Sequence, residues 1–144
     1  MIDSTAIAER WFERTIESYP AETIPFLRGE QDRFRNPAGF ALRDNLATLA
    51  RQVFGAMDKS VIEPAIDTLV RLRAVQDFGS SEAVQFIFDL RAVVMEVSGS
   101  VSPDLDCRIE EMGLMACEQY MACRKQIAAL RARELRYRTQ CEAS

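Results

Sequence analysis

The sequence predicts an all-α domain, and three observations lead there. Apolar residues recur at steps of three and four along nearly the whole chain, where a strand would alternate. Cap residues and prolines stand together at expected helix starts, in Asn36-Pro37 and in Ser60 to Glu63 with Pro64. From Asp104 onward the chain has no proline and only Gly113, room for one very long helix.

The elements follow in order. Asp3 or Ser4 caps a first helix carrying Ile7, Trp11, Phe12 and Ile16, which Pro20 closes. A segment from Ile24 to Leu27 holds Pro25 and reads as a turn or a single helical turn. Asn36 as N-cap and Pro37 at the first helical position open a helix with Leu42, Leu46, Leu49, Val53 and Phe54 on one face. Ser60-x-x-Glu63 has capping-box spacing, and Ile62, Ile66, Leu69 and Val70 form the buried stripe that leads to Arg73.

After Gly79-Ser80-Ser81, with Ser80 as the cap, comes a helix to about Val97. It is apolar on most sides, so it is expected at the centre of the domain, enclosed by the others. Gly99 to Pro103 is a loop. A final helix over about residues 104–138 would be ~50 Å long, well beyond the ~30 Å width of a small domain. Residues 131–144 are also much more polar, and are expected to project as a helical arm or tail from a single domain spanning 1–144.

Composition narrows the function classes. With 48% hydrophobic and 28% charged residues the chain belongs with folded domains, not with disordered ones. A formal net charge of -4 gives nucleic acid no hold as a main partner. Basic residues gather between Arg124 and Arg138, where they suit the negative pole of a helix end or an acidic partner surface. The first residues lack a signal peptide's basic start, and no stretch approaches the ~20 apolar residues of a membrane span. Cys107, Cys117, Cys123 and Cys141 point different ways along one helix, so reduced thiols in a cytoplasmic protein are expected. Oxidation of Cys141 near the terminus remains an open route to a linked dimer.

No Ser/His/Asp or Cys/His set, phosphate-binding glycine loop or metal-ligand cluster is present, so catalysis is not expected. Arg73, Gln76 and Asp77 form a charged and amide cluster at a helix end, with two readings. They could pin the junction, Arg73 pairing with Asp77 while Gln76 bonds loop carbonyls, or they could meet the head group of an acidic ligand. Asn36 and Pro37 carry the same alternatives, with capping favoured. Phe40, Phe54, Phe86, Ile87, Phe88 and Met95 are core by default. Ile127, Leu130 and Tyr137 have roughly seam-like spacing for two arms to pack in a homodimer, although the seam passes through Glu134.

Most of the chain resembles one known family. Phe34-Arg-Asn-Pro-Ala-Gly-Phe40 looks like its Phe-x-Asn-Pro-x-Gly segment. Arg73-Ala-Val-Gln-Asp-Phe78, Ala83 and Phe86-Ile-Phe-Asp-Leu-Arg91 are the most specific part, and Tyr120, Arg124 and the arginine-rich ending resemble its closing helix. These residues resemble the N-terminal sensor domain of RsbR/RsbRD-type co-antagonist proteins, the non-haem globin-like domains of bacterial stress signalling. One departure is Gly79-Ser80-Ser81, where the family commonly has Ser-Pro-Ser.

The resemblance implies a globin-like fold, dimerisation, no haem and a protein partner reached through the last helix. The chain also has no histidine to serve as a proximal haem ligand. It implies an output STAS domain as well, which this chain does not contain. The sequence is then expected to be either a stand-alone homologue or a fragment, and its initial methionine and Gln-Cys-Glu-Ala-Ser ending are read as favouring the former. A fatty-acid-like ligand in the former haem space is the alternative function, with Arg73 or another basic residue at the pocket mouth.

Overall fold

In the computed structural model, residues 3–76 and 78–143 are described. They form six helices: α1 (Ser4–Ile16), α2 (Ile24–Gly29), α3 (Pro37–Val53), α4 (Lys59–Val75), α5 (Ser80–Ser98) and α6 (Pro103–Ala143). The described residues include no strand.

Five of the helices close into a ring. α1 packs on α3 and α5, α3 on α4, α4 on α6, and α6 returns to α5, while short α2 rests at the α1–α3 edge. The stripes read from the sequence all turn inward. Ile7, Trp11, Leu42, Leu46, Ile62, Ile66, Ile87, Val93, Ile109 and Met112 have no exposed surface.

Two caps differ from expectation. Helix α4 begins one residue before Ser60, because Asp58 Oδ1 accepts from the backbone N–H of Ser60 at 3.0 Å and from its hydroxyl at 2.7 Å. A carboxylate in extended backbone just ahead of the helix takes the capping role that Ser60 would have filled. Helix α5 likewise starts with Gly79 as its N-cap and no side-chain capping bond, which makes Ser80 its first helical residue.

α5 is a wall of the ring and not its centre. It packs on α1 and α6 and only brushes α4, so part of its circumference stays open. Phe88, Met95 and Val97 are 37%, 52% and 47% exposed, and Phe40 and Phe54 are only partly buried. Of the six large apolar residues expected in the core, Phe86 and Ile87 are fully enclosed. The apolar count of α5 exceeded what two neighbours could cover. Phe88 lies over Gly113 of α6, where an added Cβ would stand 2.7 Å from its ring, so only glycine permits this approach.

α6 is one helix of 41 residues, about 60 Å at the usual rise. Its buried stripe runs through Leu105, Ile109, Met112, Ala116, Tyr120 and Cys123 and ends there. Residues 128–142 are exposed on every side, a bare helical arm beyond the ring.

Ile87→Asp places an uncompensated charge inside the ring and should cost at least about 3 kcal/mol, seen as a collapsed thermal transition. Arg133→Glu, on the bare arm, should leave the melting temperature within about a degree or two, since an exposed charge change is small. A large loss there would mean that the arm lies against the body.

Candidate functional site

The α4 stripe continues by one more step into Arg73, and this register buries it: the residue is 2% exposed. Its guanidinium spans the α4–α5 junction. Nε donates to the carbonyl of Ala83 at 3.1 Å and Nη2 to that of Glu82 at 2.7 Å, both in the opening turns of α5, while Nη1 reaches Ser18 Oγ at 3.3 Å. Rings surround the cation: Phe78 at 4.3 Å, Phe86 at 5.7 Å and Tyr19 at 5.8 Å from the guanidinium carbon. Among the described residues no carboxylate stands within ion-pair distance of it, and Asp77, its expected partner, lies outside the described residues.

Arg73 sits in the last turn of α4, where the helix dipole favours a cation. Burial lowers its pKa, opposed by Tyr19 and, from further off, by Asp89 and Glu82; the guanidinium keeps its charge regardless.

Gln76 ends α4 and is exposed. Among the described residues its side-chain partner is a phenol: Tyr19 Oη donates to Gln76 Oε1 at 2.7 Å. Burial raises the pKa of that phenol, and the Arg73 charge opposes the rise. Tyr19 meets Phe78 edge-on at 5.2 Å, and Tyr120 of α6 donates to the Phe78 carbonyl at 3.2 Å. Phe86 is buried, and its carbonyl accepts from Trp11 Nε1 at 2.6 Å. The junction thus ties α1, α4, α5 and α6 together. Beside it lies an open recess of about 400 Å³ whose wall includes Tyr19, Gln76, Phe78 and Glu82. The Glu82 carboxylate at that wall opposes an anionic ligand.

Asn36 and Pro37 lie elsewhere, at the start of α3. Asn36 is 2% exposed; its Oδ1 accepts from Gly39 N at 3.0 Å and its Nδ2 donates to the carbonyls of Phe26, Leu27 and Glu30. One side chain therefore caps α3 and holds the end of α2. A Cβ on Gly39 would come within 2.4 Å of that amide, which explains the glycine three residues on. Pro37 is exposed at the first helical position, and Phe34 is 97% exposed, for which the contacts of the domain give no account.

Ile127, Leu130 and Tyr137 continue the body-facing stripe of α6 past the point where the body ends: Ile127 is half-buried, and Leu130 and Tyr137 are 61% and 68% exposed. Cys123 is buried, Cys117 half-buried, and Cys107 and Cys141 exposed. Among the described residues no group of acids and cysteines gathers as a metal would need, and no helix is long and apolar enough to cross a membrane.

Sequence reasoning singled out Arg73 and Gln76 but not Ser18 and Tyr19 as their contacts. A polar-aromatic pair just before Pro20 was the available signal for the latter two.

The family model described as the RsbT co-antagonist protein rsbRD N-terminal domain matches residues 5–135. The chain belongs to that family. The rsbRD N-terminal domains are signalling sensor domains of the stressosome type, not a known family of enzymes. The match takes in α1 from its second residue, α2 through α5 whole and α6 as far as Leu135. No curated protein and no solved structure matches the chain.

Arg73→Ala removes three hydrogen bonds and the stacked guanidinium, and should cost about 2–4 kcal/mol in urea denaturation. The raised Tyr19 pKa carries its own sign. The folded phenol keeps its proton where the unfolded one loses it, so this stability is full below pH about 10 and is lost as pH rises past it. Tyr19→Phe should flatten that alkaline decline, and an unchanged slope between pH 9 and 11 would show that Tyr19 does not cause it.

Proposed function

We propose that the chain is a non-catalytic sensor module of the non-haem globin-like type. In this reading it works in the cytoplasm as a homodimer without a cofactor, receives a protein contact or a small ligand at its helical body, and passes the signal out through α6. One observation carries the reading. α6 is a single helix whose first half is built into the ring and whose second half is bare, so any shift of the body half is inherited by the arm.

Tyr120 supports it further, since its bond to the Phe78 carbonyl joins α6 to the loop beside Arg73. Ile127, Leu130 and Tyr137, whose spacing suggested a dimer seam, are equally an apolar surface on the arm open to a regulatory protein partner. For such a relay the input must bind two arrangements of the helices with different affinity.

The second reading, a carrier or sensor of a fatty-acid-like molecule, has one observation in its favour. A groove of about 290 Å³ between α1 and α3 has Phe12, Ala8 and Ala47 among its lining, with Arg43 and Arg51 beside them and the carboxylates of Glu9 and Asp44 in the same wall. Arg43 stacks on Phe12 at 4.0 Å, so an apolar surface and a cation for a carboxylate lie together.

Hydrogen exchange on the Arg73→Met protein, compared with the unaltered chain, tests the relay. Faster exchange should appear in residues 116–127 of α6 as well as around 73–86. A change confined to the junction would sink the relay. Native mass spectrometry of freshly purified protein separates the two inputs: a reproducible added mass lost on denaturation supports the carrier, and a bare protein supports the contact.

A further inference from the structure

The outer face of α6 has a repeat that neither the body nor the stripe of Ile127, Leu130 and Tyr137 uses. Leu114, Met121, Ala128 and Leu135 follow one another at intervals of seven, and all four are exposed, Leu114 at 64%, Met121 at 62% and Leu135 at 66%. Cys107, one interval earlier, is also exposed. At 100° per residue these positions share one side of the helix, away from the ring and roughly opposite Leu130. A seven-residue repeat held over this length suits a second helix lying alongside.

Charge decides which helix. Residues 103–123 carry five acids and one arginine, whereas residues 124–143 carry six basic residues and two acids. One half of α6 is thus acidic and the other basic, a pattern complementary to its own copy running the opposite way. Two parallel arms would instead set six basic residues beside six, a like-charge array that opposes pairing.

We propose that the outer face of α6 is a self-complementary docking surface, on which the α6 of a second copy lies antiparallel with the two-fold axis at Met121. This rests on the homodimer in the reading above and assigns its face, direction and register. Met121 then meets its own copy, Leu114 meets the small Ala128, and Cys107 meets Leu135. The flanking residues agree with the same register. Glu118 comes beside Lys125 of the other copy and Glu110 beside Arg131, each pair occurring twice by symmetry. All four are exposed, and none is held in an ion pair with a described residue. The stripe of Leu130 and Tyr137 stays open for a different partner.

Disulfide trapping on the full chain tests the register. Leu135→Cys should, under mild oxidation, give a covalent dimer whose peptides link position 135 to Cys107, and adding Cys107→Ser should abolish that link. A dimer joined 135 to 135 would mean parallel arms and overturn the proposal. Charge exchange gives a second reading by sedimentation. Glu118→Lys and Lys125→Glu should each weaken the dimer about tenfold, and the double exchange should restore it. A wild-type dimer indifferent to all of these would reject this face while leaving the homodimer standing. A wild-type monomer would reject both.

Discussion

The guanidinium of Arg73 is closed off from water by three aromatic rings, and two backbone carbonyls and a serine hydroxyl receive its protons. A cation in that position is tolerable only while every one of those groups stays in place. The α1 end must present Ser18 and Tyr19, the opening turns of α5 must offer the carbonyls of Glu82 and Ala83, and Phe78 must cover the rest. The geometry of one side chain therefore fixes how α1, α4 and α5 approach one another, and Tyr120 joins α6 to them through the Phe78 carbonyl. It also explains why the boundary between α4 and α5 is short even though Gly79 brings no capping side chain. The contacts of Arg73 with α5 supply the restraint that a serine or aspartate cap would have given.

Asn36 does comparable work at the opposite corner with a neutral group. Its carbonyl oxygen serves α3 and its amide serves the closing carbonyls around α2, so the side chain is satisfied although buried. The Asn-Pro-x-Gly run is thereby explained residue by residue. Asparagine bonds in two directions, proline starts the helix where its missing N–H costs nothing, and glycine leaves room for the amide.

Much of this was legible in the sequence. The helix stripes, the Asn36 cap and the excess length of α6 came from periodicity and local capping chemistry, which act within a few residues. Arg73 was marked as special, and its place on the stripe of Ile62, Ile66 and Leu69 already implied burial. Its hydrogen-bond partners were not legible, because two are main-chain carbonyls that any residue could supply and the third, Ser18, comes from the turn after α1, more than fifty positions away. Ser60 lost its capping role to Asp58 two positions earlier, since either residue can cap and only the backbone path decides. α5 looked central because its apolar residues were counted without knowing how many neighbours a five-helix ring allows. The antiparallel charge pattern of α6 was present in the letters, but the exposed face had to be known before its seven-residue interval stood out.

Because α6 continues unbroken from the ring into solvent, it behaves as a stiff lever with its fulcrum near Cys123. Some twenty residues beyond that point give a length of ~30 Å. A tilt of ~5° in the packed half, small enough to leave side-chain contacts in register, would carry the far tip by ~2–3 Å. Displacements too slight to reorganise the core are thus enlarged at the tip into movements comparable to the width of an atom. A second helix pinned along the opposite side would feel such a swing over its whole length.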